Sequence, residues 1–341
     1  MNILIVRLGA LGDIVHTIPA AAALRAAFPR SRIDWLVEAK HRAVLDLVMG
    51  LDRVVALEGR SLAAWADVVR REREVAYDIA LDFQGLMKSA VLARASGAAR
   101  VAGFSVWHLR EKGARPFYSE TDSTDGDDRA HVVWKNLRLL RVVGIDAAQV
   151  AFPLRAVPSD PRDEVVAAHG ARKFALINPG AAWPNKRWPP AQFGEVAAFL
   201  REVRGLSSVV LWGPGEEALA QAVVDASGGA ARLAPPTAIA DVVALSREAA
   251  LVVSGDTGPL HIAAAVGTPV VAVFGPTDPQ RNGPWSASDV TVSRFESCAC
   301  HYDRQCSQAA WCLDGVTVAE VTAAIQQRLG RAPAGDTALN G

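Results

Sequence analysis

The sequence alternates short, continuously apolar segments with helical patterns, and it does so twice along its 341 residues. Strands that are buried on both faces of a parallel sheet are expected to be apolar throughout. In the first half the predicted strands are 3–6, 33–37, 54–57 and 79–83. In the second half they are 174–178, 208–212, 251–254 and 270–274. This pattern predicts two doubly wound α/β domains, with ligands bound beyond the carboxyl ends of the strands.

Helical patterns separate the predicted strands, and their spacing sets the domain boundaries. The predicted helices are 41–48, 61–75, 86–95, 129–143, 190–203, 216–226, 238–248, 258–266 and 317–329. The polar, acidic segment 119–128 predicts an exposed loop, and the prolines at 153, 158 and 161 predict a linker. We therefore expect one domain over 1–155, a second over 156–330, and a disordered tail over 331–341.

Composition excludes some functions and indicates a compartment. The 36 basic and 36 acidic residues cancel, which disfavours nucleic-acid binding. No apolar segment approaches the roughly 20 residues that span a bilayer, and the N-terminus lacks the layout of a signal peptide. These observations predict a cytoplasmic protein. In a reducing compartment the four cysteines, at 298, 300, 306 and 312, are expected to be free or occasionally oxidised thiols rather than structural disulfides. Their spacing makes metal binding the weaker alternative.

The first polar turn is RLGALGD, residues 7–13, which directly follows the first predicted strand. Its glycines, including Gly12, allow the backbone to approach a ligand closely, although the spacing does not match the GxGxxG dinucleotide motif. Asp13 lies where a helix begins. It either caps that helix or accepts a proton in catalysis, and the two roles are compatible.

The second polar turn is NPGAAWPNKRW, residues 178–188, which lies between a strand and a helix. Gly180, the adjacent cations Lys186 and Arg187, and the flanking tryptophans suit a polyphosphate leaving group. The alternative is a solvated basic loop with Trp188 in the core.

The third polar turn is SGDTGPLH, residues 254–261. Thr257, Gly258 and the free N–H groups of a helix start could hold a phosphate, while Asp256 would suit sugar hydroxyls. His261 falls on the same helix face as Thr257. The alternative is a capped helix with a buried histidine. A fourth turn, FGPTDP at 274–279, fits a structural role at least as well as a ligand contact.

Together these segments resemble a known enzyme family. RLGALGDIVHTIPA, NPGAAWPNKRW, SGDTGPLHIAAAVGTP and VFGPTDP, in this order, resemble glycosyltransferase family 9, the ADP-heptose:lipopolysaccharide heptosyltransferases. The resemblance covers nearly the whole chain. IDWLVEA and REKGARPFYS are closer to heptosyltransferase I than to heptosyltransferase II. The resemblance implies the GT-B fold, in which two Rossmann-like domains face a central cleft.

The resemblance also implies roles for individual residues. The donor, ADP-heptose, is expected in the C-terminal domain and the acceptor in the N-terminal domain. Asp13 matches the general base, and Lys186 matches the lysine that contacts the donor phosphate. The matching donor-site residues are Gly180, Asp256, Thr257, Gly258 and His261. Either Glu216 or Glu217 matches the acidic residue that holds the adenosine ribose, and Glu216 is our assignment.

The expected acceptor is a lipid A–Kdo type molecule at the membrane surface. Its anionic groups would require cations in the N-terminal domain. The turn at Gly12 is also assigned to the acceptor site. The assigned cations are Lys88, Arg110, Lys112 and Arg115. Segment 107–115 combines three of them with apolar residues, so we predict peripheral, partly electrostatic contact with the cytoplasmic face of the inner membrane. The alternative is an ordinary solvated loop.

The predicted reaction is heptose transfer with inversion at the anomeric carbon, without a metal ion or other cofactor. Asp13 would remove the acceptor proton, and Lys186 would stabilise the departing ADP. The alternatives are heptosyltransferase II, a sugar-nucleotide transferase or epimerase of the same fold with another substrate, and a nucleotide-binding module without catalysis.

Overall fold

The computed structural model describes residues 1–59, 61–122, 130–170 and 172–330. The chain divides into two compact units, Met1–Arg155 and a second unit that begins at Ala156. None of the described helices is long and apolar enough to cross a membrane. The predicted tail, 331–341, and most of the predicted loop at 119–128 lie outside the described residues.

The first unit is built on a parallel sheet of six strands in the order β3-β2-β1-β4-β5-β6. The strands are β1 (Asn2–Val6), β2 (Arg32–Glu38), β3 (Arg53–Leu57), β4 (Ile79–Asp82), β5 (Arg100–Gly103) and β6 (Glu120–Thr121). The first four confirm the predicted strands. The last two were not predicted, because they are short and carry polar residues at their starts.

Among its described residues, the first unit also has six helices and three 3-10 turns. The helices are α1 (Leu11–Val15), α2 (Ile18–Ala27), α3 (Arg42–Leu45), α4 (Leu62–Arg73), α5 (Met87–Ala95) and α6 (Val132–Leu139). The 3-10 turns are Ala39–His41, Lys112–Phe117 and Leu140–Val143. The central strand β1 is completely buried from Ile3 to Val6, as expected for a parallel strand covered on both faces.

The second unit repeats this plan with a parallel sheet in the order β12-β11-β10-β7-β8-β9. Its strands are β7 (Phe174–Asn178), β8 (Ser207–Val210), β9 (Ala231–Leu233), β10 (Leu251–Gly255), β11 (Val270–Phe274) and β12 (Val290–Ser293). Its helices are α7 (Asp160–His169), α8 (Pro190–Arg204), α9 (Glu217–Ala226), α10 (Ile239–Glu248), α11 (Gly258–Ala265), α12 (Pro279–Asn282) and α13 (Val318–Gly330). Short 3-10 turns lie at Pro184–Lys186, Phe295–Ser297 and Cys312–Gly315.

The predicted linker at residues 153–161 is wrong in its last part, because α7 begins there. Pro161 is the second residue of this helix, where its missing N–H costs no hydrogen bond. Ser159 caps the helix: its Oγ accepts a hydrogen bond from the Arg162 N–H at 3.1 Å. Val165 is buried and anchors α7 to the second unit.

Each sheet reverses its strand order once, and these reversals locate the loops that can bind ligands. In the first unit the reversal lies between β1 and β4, and in the second between β7 and β10. Loops at the carboxyl ends of the two strands diverge at such a point and leave a crevice. The polar turns that follow β1, β7 and β10 are therefore placed where a doubly wound sheet binds its ligand.

Candidate active site

In the second unit, loops from four adjacent strands bring the predicted donor residues together. Lys186 follows β7, Asp256 follows β10, and the two meet in an ion pair with Nζ 2.5 Å from Oδ2. Their side chains are only 14% and 8% exposed. Lys186 Nζ also lies 4.3 Å from the centre of the Trp183 ring, a cation–π distance. The alternative of a solvated basic loop is therefore wrong for Lys186, although Trp188 does lie in the core.

The Asp256 carboxylate contacts two further side chains besides Lys186. Its Oδ2 also accepts a hydrogen bond from Thr277 Oγ1 at 2.7 Å, and its Oδ1 lies 3.2 Å from His261 Nε2. Burial would raise the pKa of Asp256, but the hydrogen bonds and charges of His261 and Lys186 outweigh it and hold the pKa well below its ordinary range. Asp256 is thus an ionised carboxylate that fixes Lys186 and His261.

Asn178 joins the turn after β7 to the turn after β10. Its Nδ2 donates to Thr257 Oγ1 at 2.9 Å and to Ser254 Oγ at 3.1 Å. Thr257 is the residue that precedes α11, and its own hydroxyl does not cap the helix. The first turn of a helix leaves backbone N–H groups without intrahelical acceptors, and these groups favour anions. The geometry at Thr257 and Gly258 therefore suits a phosphate.

Glu216 reaches the same region from the loop after β8. Its carboxylate lies so close to Gly180 that a Cβ built there would sit 2.5 Å from Glu216 Cδ. Gly213 N–H donates to Glu216 Oε2 at 3.2 Å, and Arg187 Nη2 lies 3.9 Å from Oε1. Glu217, by contrast, is exposed at the start of α9. Of the two glutamates, only Glu216 has its carboxylate against the turn after β7.

In the first unit, Asp13 does not occupy the capping position that the sequence indicated. The residue before α1 is Ala10, and Asp13 is the third residue of the helix, with its Oδ2 3.4 Å from the Ala10 N–H that donates to it. The same Oδ2 is in an ion pair with Arg7, whose Nη2 lies 2.7 Å away. Asp13 is 33% exposed and Arg7 only 8%.

Arg7 is a site residue that sequence reasoning missed. Besides Asp13 it binds the carbonyl oxygen of Phe83, the residue that follows β4. It therefore holds the Asp13 carboxylate at the reversal between β1 and β4. Its position directly after β1, six residues before an acidic side chain, was the available signal.

A charged cluster lies at the carboxyl end of β2, beside the Asp13 turn. Lys88 Nζ is 2.7 Å and Lys40 Nζ 3.0 Å from the Glu38 carboxylate, and a Cβ at Gly9 would sit 3.0 Å from His41 Nε2. Burial lowers the pKa of His41, as does the charge of Lys40, against the opposing effect of Glu38 and Asp13. The predicted acceptor residue Lys88 is thus near the Asp13 turn, but it is already paired.

The other predicted acceptor cations lie on segment 107–115, which is attached to the loop after β4. Glu111 N–H donates to the Gly85 carbonyl oxygen at 3.1 Å, and Glu111 Oε2 accepts from Met87 N–H at 2.6 Å. Of the apolar residues on this segment, Trp107 is 72% exposed, whereas Leu109 is buried. The three cations are exposed: Arg110, Lys112 and Arg115.

The sequence profile of glycosyltransferase family 9 (heptosyltransferase) matches residues 65–312. The chain belongs to glycosyltransferase family 9. The predicted family and the predicted class of enzyme are thereby confirmed.

Individual members of family 9 agree with this assignment. Lipopolysaccharide heptosyltransferase 1 of Pseudomonas aeruginosa is 29% identical to the chain over 321 residues, which cover 90% of this chain and 88% of that protein. The solved structure of E. coli heptosyltransferase WaaC with ADP has a TM-score of 0.78 at 23% identity and covers 96% of this chain and 100% of that one. The E. coli ADP-heptose LPS heptosyltransferase II structure has a TM-score of 0.77 at 21% identity, covering 96% and 98%. These likenesses confirm the GT-B class of fold.

The cysteines of this family 9 chain differ from the expectation of four thiols. Cys300 and Cys306 form a disulfide, with Cα atoms 5.5 Å apart, while Cys298 and Cys312 are thiols. The tight turn between them brings the two bonded cysteines within the range that a disulfide requires. In the described parts of the chain, no group of three or more His, Cys, Asp or Glu side chains could hold a metal ion.

Proposed function

We propose that this family 9 glycosyltransferase transfers heptose from ADP-heptose to a Kdo-containing acceptor of the lipopolysaccharide inner core. The observation that carries the proposal is the meeting of Lys186, Asp256, Thr257 and Glu216 at the carboxyl ends of adjacent parallel strands. A cation, a helix start and a separate carboxylate are what a nucleoside diphosphate sugar needs: two groups for the phosphates and one for ribose hydroxyls. The names of the relatives above, which include heptose, lipopolysaccharide and ADP, support this choice of substrates.

In the proposed donor site each group has one function. Lys186 and the N–H groups at Thr257 and Gly258 bind the diphosphate, and Glu216 accepts hydrogen bonds from the ribose. Asp256 remains ionised and positions Lys186, while His261 supports Asp256. Contacts to a leaving group strengthen as its charge grows, so the same groups lower the barrier to departure of ADP. With the diphosphate neutralised in this way, the proposed reaction uses no metal ion or cofactor.

The acceptor half places Asp13 as the general base. Its carboxylate is accessible and is oriented by Arg7, so it can take the proton of an acceptor hydroxyl. Attack by that oxygen on the anomeric carbon, with ADP leaving from the opposite side, inverts the configuration in one step. Lys88 and the turn at Gly12 would contact the acceptor beside Asp13.

Acceptor delivery is proposed to occur at the cytoplasmic surface of the membrane. Arg110, Lys112 and Arg115 are exposed cations on the same segment as the exposed ring of Trp107, a combination suited to an anionic lipid surface. The name of the Pseudomonas aeruginosa relative, lipopolysaccharide heptosyltransferase 1, supports heptosyltransferase I rather than heptosyltransferase II as the type of enzyme.

Calorimetric titration of ADP tests the donor assignment. Lys186→Ala should weaken ADP binding about 10- to 150-fold, since a hydrogen bond to a charged group contributes roughly 1.5–3 kcal/mol. Lys186→Arg should restore only part of the ADP affinity, because it keeps the positive charge but replaces the compact ammonium group with a planar guanidinium. Lys173→Ala is the matched control: this exposed lysine precedes β7 at the opposite end of the same strand. Equal ADP affinity in the Lys186→Ala variant and the control would show that Lys186 does not contribute to ADP binding.

A further inference from the structure

The disulfide between Cys300 and Cys306 closes a small ring on the surface of the second unit. The ring spans seven residues, 300–306. Cys300 is buried, Cys306 is half-buried, and residues 301–305 between them are exposed. A reductant in solution therefore reaches the bond from the Cys306 side.

The ring is hydrogen-bonded to two of the loops that build the candidate donor site. Tyr302 N–H donates to the Pro276 carbonyl oxygen at 2.8 Å, and Asn185 Nδ2 donates to the Asp303 carbonyl oxygen at 2.9 Å. Asn185 is buried and directly precedes Lys186, while Pro276 directly precedes Thr277. These two hydrogen bonds attach the ring to the residues that precede Lys186 and Thr277.

Lys186 and Thr277 share one partner in the donor site. Both bind Asp256 Oδ2, at 2.5 and 2.7 Å. A shift of either loop would therefore change the position of the cation that is proposed to bind the diphosphate. The ring contributes a third contact at the same place, because the Arg304 guanidinium lies 5.9 Å from the centre of the Trp183 ring, against which Lys186 also packs.

One residue of the ring has a backbone conformation that is uncommon for its side chain. Tyr302 has φ of 60°, in the left-handed region that bulky side chains rarely adopt. The contact from Tyr302 N–H to Pro276 is made in this conformation. Opening the ring removes the covalent link that closes this segment, so we expect Tyr302 to relax to a more common backbone conformation and its contact with Pro276 to be lost.

We propose that Cys300–Cys306 is a redox-responsive site that controls the affinity of the chain for its nucleotide donor. The inference rests on the proposed function, because it concerns the same donor site. An external dithiol is the reductant: its thiolate attacks Cys306 Sγ, the Cys300–Cys306 bond breaks, and Cys300 leaves as a thiolate that takes up a proton. The second thiol of the reductant then displaces Cys306. Two electrons and two protons move to the protein, and the dithiol becomes a disulfide.

Of the two remaining cysteines, Cys312 is a poor source of the attacking thiolate. Burial and hydrogen bonding to Cys298 raise the pKa of Cys312 to about 12, so at neutral pH it is a protonated and poorly nucleophilic thiol. Cys298 is buried beside Cys300, and its Sγ accepts a hydrogen bond from Cys300 N–H at 3.4 Å.

The test compares ADP affinity of the oxidised and the dithiothreitol-reduced protein by calorimetry. Coupling between distinct sites typically changes affinity about 5- to 150-fold, and because the ring lies outside the donor site we expect the low end, about 5- to 10-fold weaker binding after reduction. Cys306→Ser should bind ADP as the reduced wild type does and should not respond to dithiothreitol. Cys298→Ser is the matched control: it removes a thiol from the same cluster, keeps the disulfide, and should respond as the wild type does.

Each outcome decides between the two proposals. Equal ADP affinity in both redox states overturns the redox inference while leaving the donor assignment intact, whereas failure to bind ADP in either state overturns the donor assignment and this inference with it. Alkylation without prior reduction, followed by mass spectrometry, should count two free thiols. Four free thiols with one equivalent of bound metal would replace the redox site by a metal site.

Discussion

The contact between Gly180 and Glu216 gives a sharp test of the donor site. A methyl group at Gly180 would lie 2.5 Å from Glu216 Cδ, so Gly180→Ala cannot coexist with the present position of that carboxylate. The obstacle is the end of a flexible side chain, and Gly180 does not have a positive φ that would disfavour alanine. The substitution should therefore leave the fold intact and move only the carboxylate.

The expected loss follows from the interaction that is removed. If Glu216 accepts one hydrogen bond from the ribose, its displacement costs roughly 1.5–3 kcal/mol, the range for a hydrogen bond to a charged group. At 1.4 kcal/mol per factor of ten, this corresponds to about 10- to 150-fold weaker ADP binding. Gly180→Ala and Glu216→Ala should show losses of similar size, because both remove the same contact.

The double variant separates this reasoning from a general disturbance of the loop. With Glu216 already shortened to alanine, the methyl group at position 180 no longer meets the carboxylate, so Gly180→Ala should add almost nothing. Calorimetry of ADP binding to the wild type, both single variants and the double variant gives the coupling directly. Additive losses would refute the account, because they would show that Gly180 acts independently of Glu216.

Three further predictions concern the base, the acceptor surface and the buried carboxylate. Asp13→Asn should lower turnover about 100- to 10,000-fold in a steady-state assay and leave ADP affinity unchanged. Replacing Arg110, Lys112 and Arg115 together by serine should raise the acceptor KM severalfold, and the effect should fade as salt rises, since the Debye length falls from about 10 Å at 0.1 M to about 3 Å at 1 M. Asp256→Asn should lower the melting temperature at pH 7, since breaking a buried ion pair costs about 3–5 kcal/mol. The pKa of Asp256 is lower in the folded than in the unfolded protein, so the stability that its charge contributes is present above the unfolded pKa of about 3.9 and is lost at lower pH. The difference in melting temperature between the wild type and Asp256→Asn should therefore shrink below about pH 4.

A specific result would contradict each of these three predictions. A normal rate for Asp13→Asn would leave Asp13 with only its helix-start role. For the acceptor surface, the matched control replaces three exposed arginines of the first unit that lie away from segment 107–115, namely Arg30, Arg70 and Arg94. An equal rise in KM with this control would show a general charge effect. A deficit of Asp256→Asn that stays constant down to pH 2 would contradict the assigned ionisation.

The strands that position the site were predictable, because burial in a parallel sheet leaves a plain signature. β1, β7, β10 and β11 are runs of apolar residues without alternation, and each was identified from that property alone. Edge strands lack the signature. β12 is half-exposed along its whole length, and β6 has only two residues. Neither strand therefore has a continuous apolar run that would distinguish it from the rest of the sequence.

The local motifs predicted which residues lie in the turns but not how they pair. Asp256, Thr257 and Lys186 were identified as polar residues after strands, whereas the contacts of Asn178 and Thr277 are long-range. Asn178 meets Thr257 across 79 positions, and Thr277 meets Asp256 across 21. A single sequence contains no record of such pairings. The disulfide was missed for a related reason, because compartment was the only guide to the state of the cysteines.

The proposed transfer is tested most directly by incubating the purified protein with ADP-heptose, with and without a Kdo-containing lipid A acceptor, and following both substrates by mass spectrometry. We predict that one heptose is added to the acceptor for each ADP released, and that ADP-heptose remains intact when the acceptor is absent. Consumption or isomerisation of ADP-heptose without acceptor, or an unmodified acceptor in the complete mixture, would contradict the proposed function.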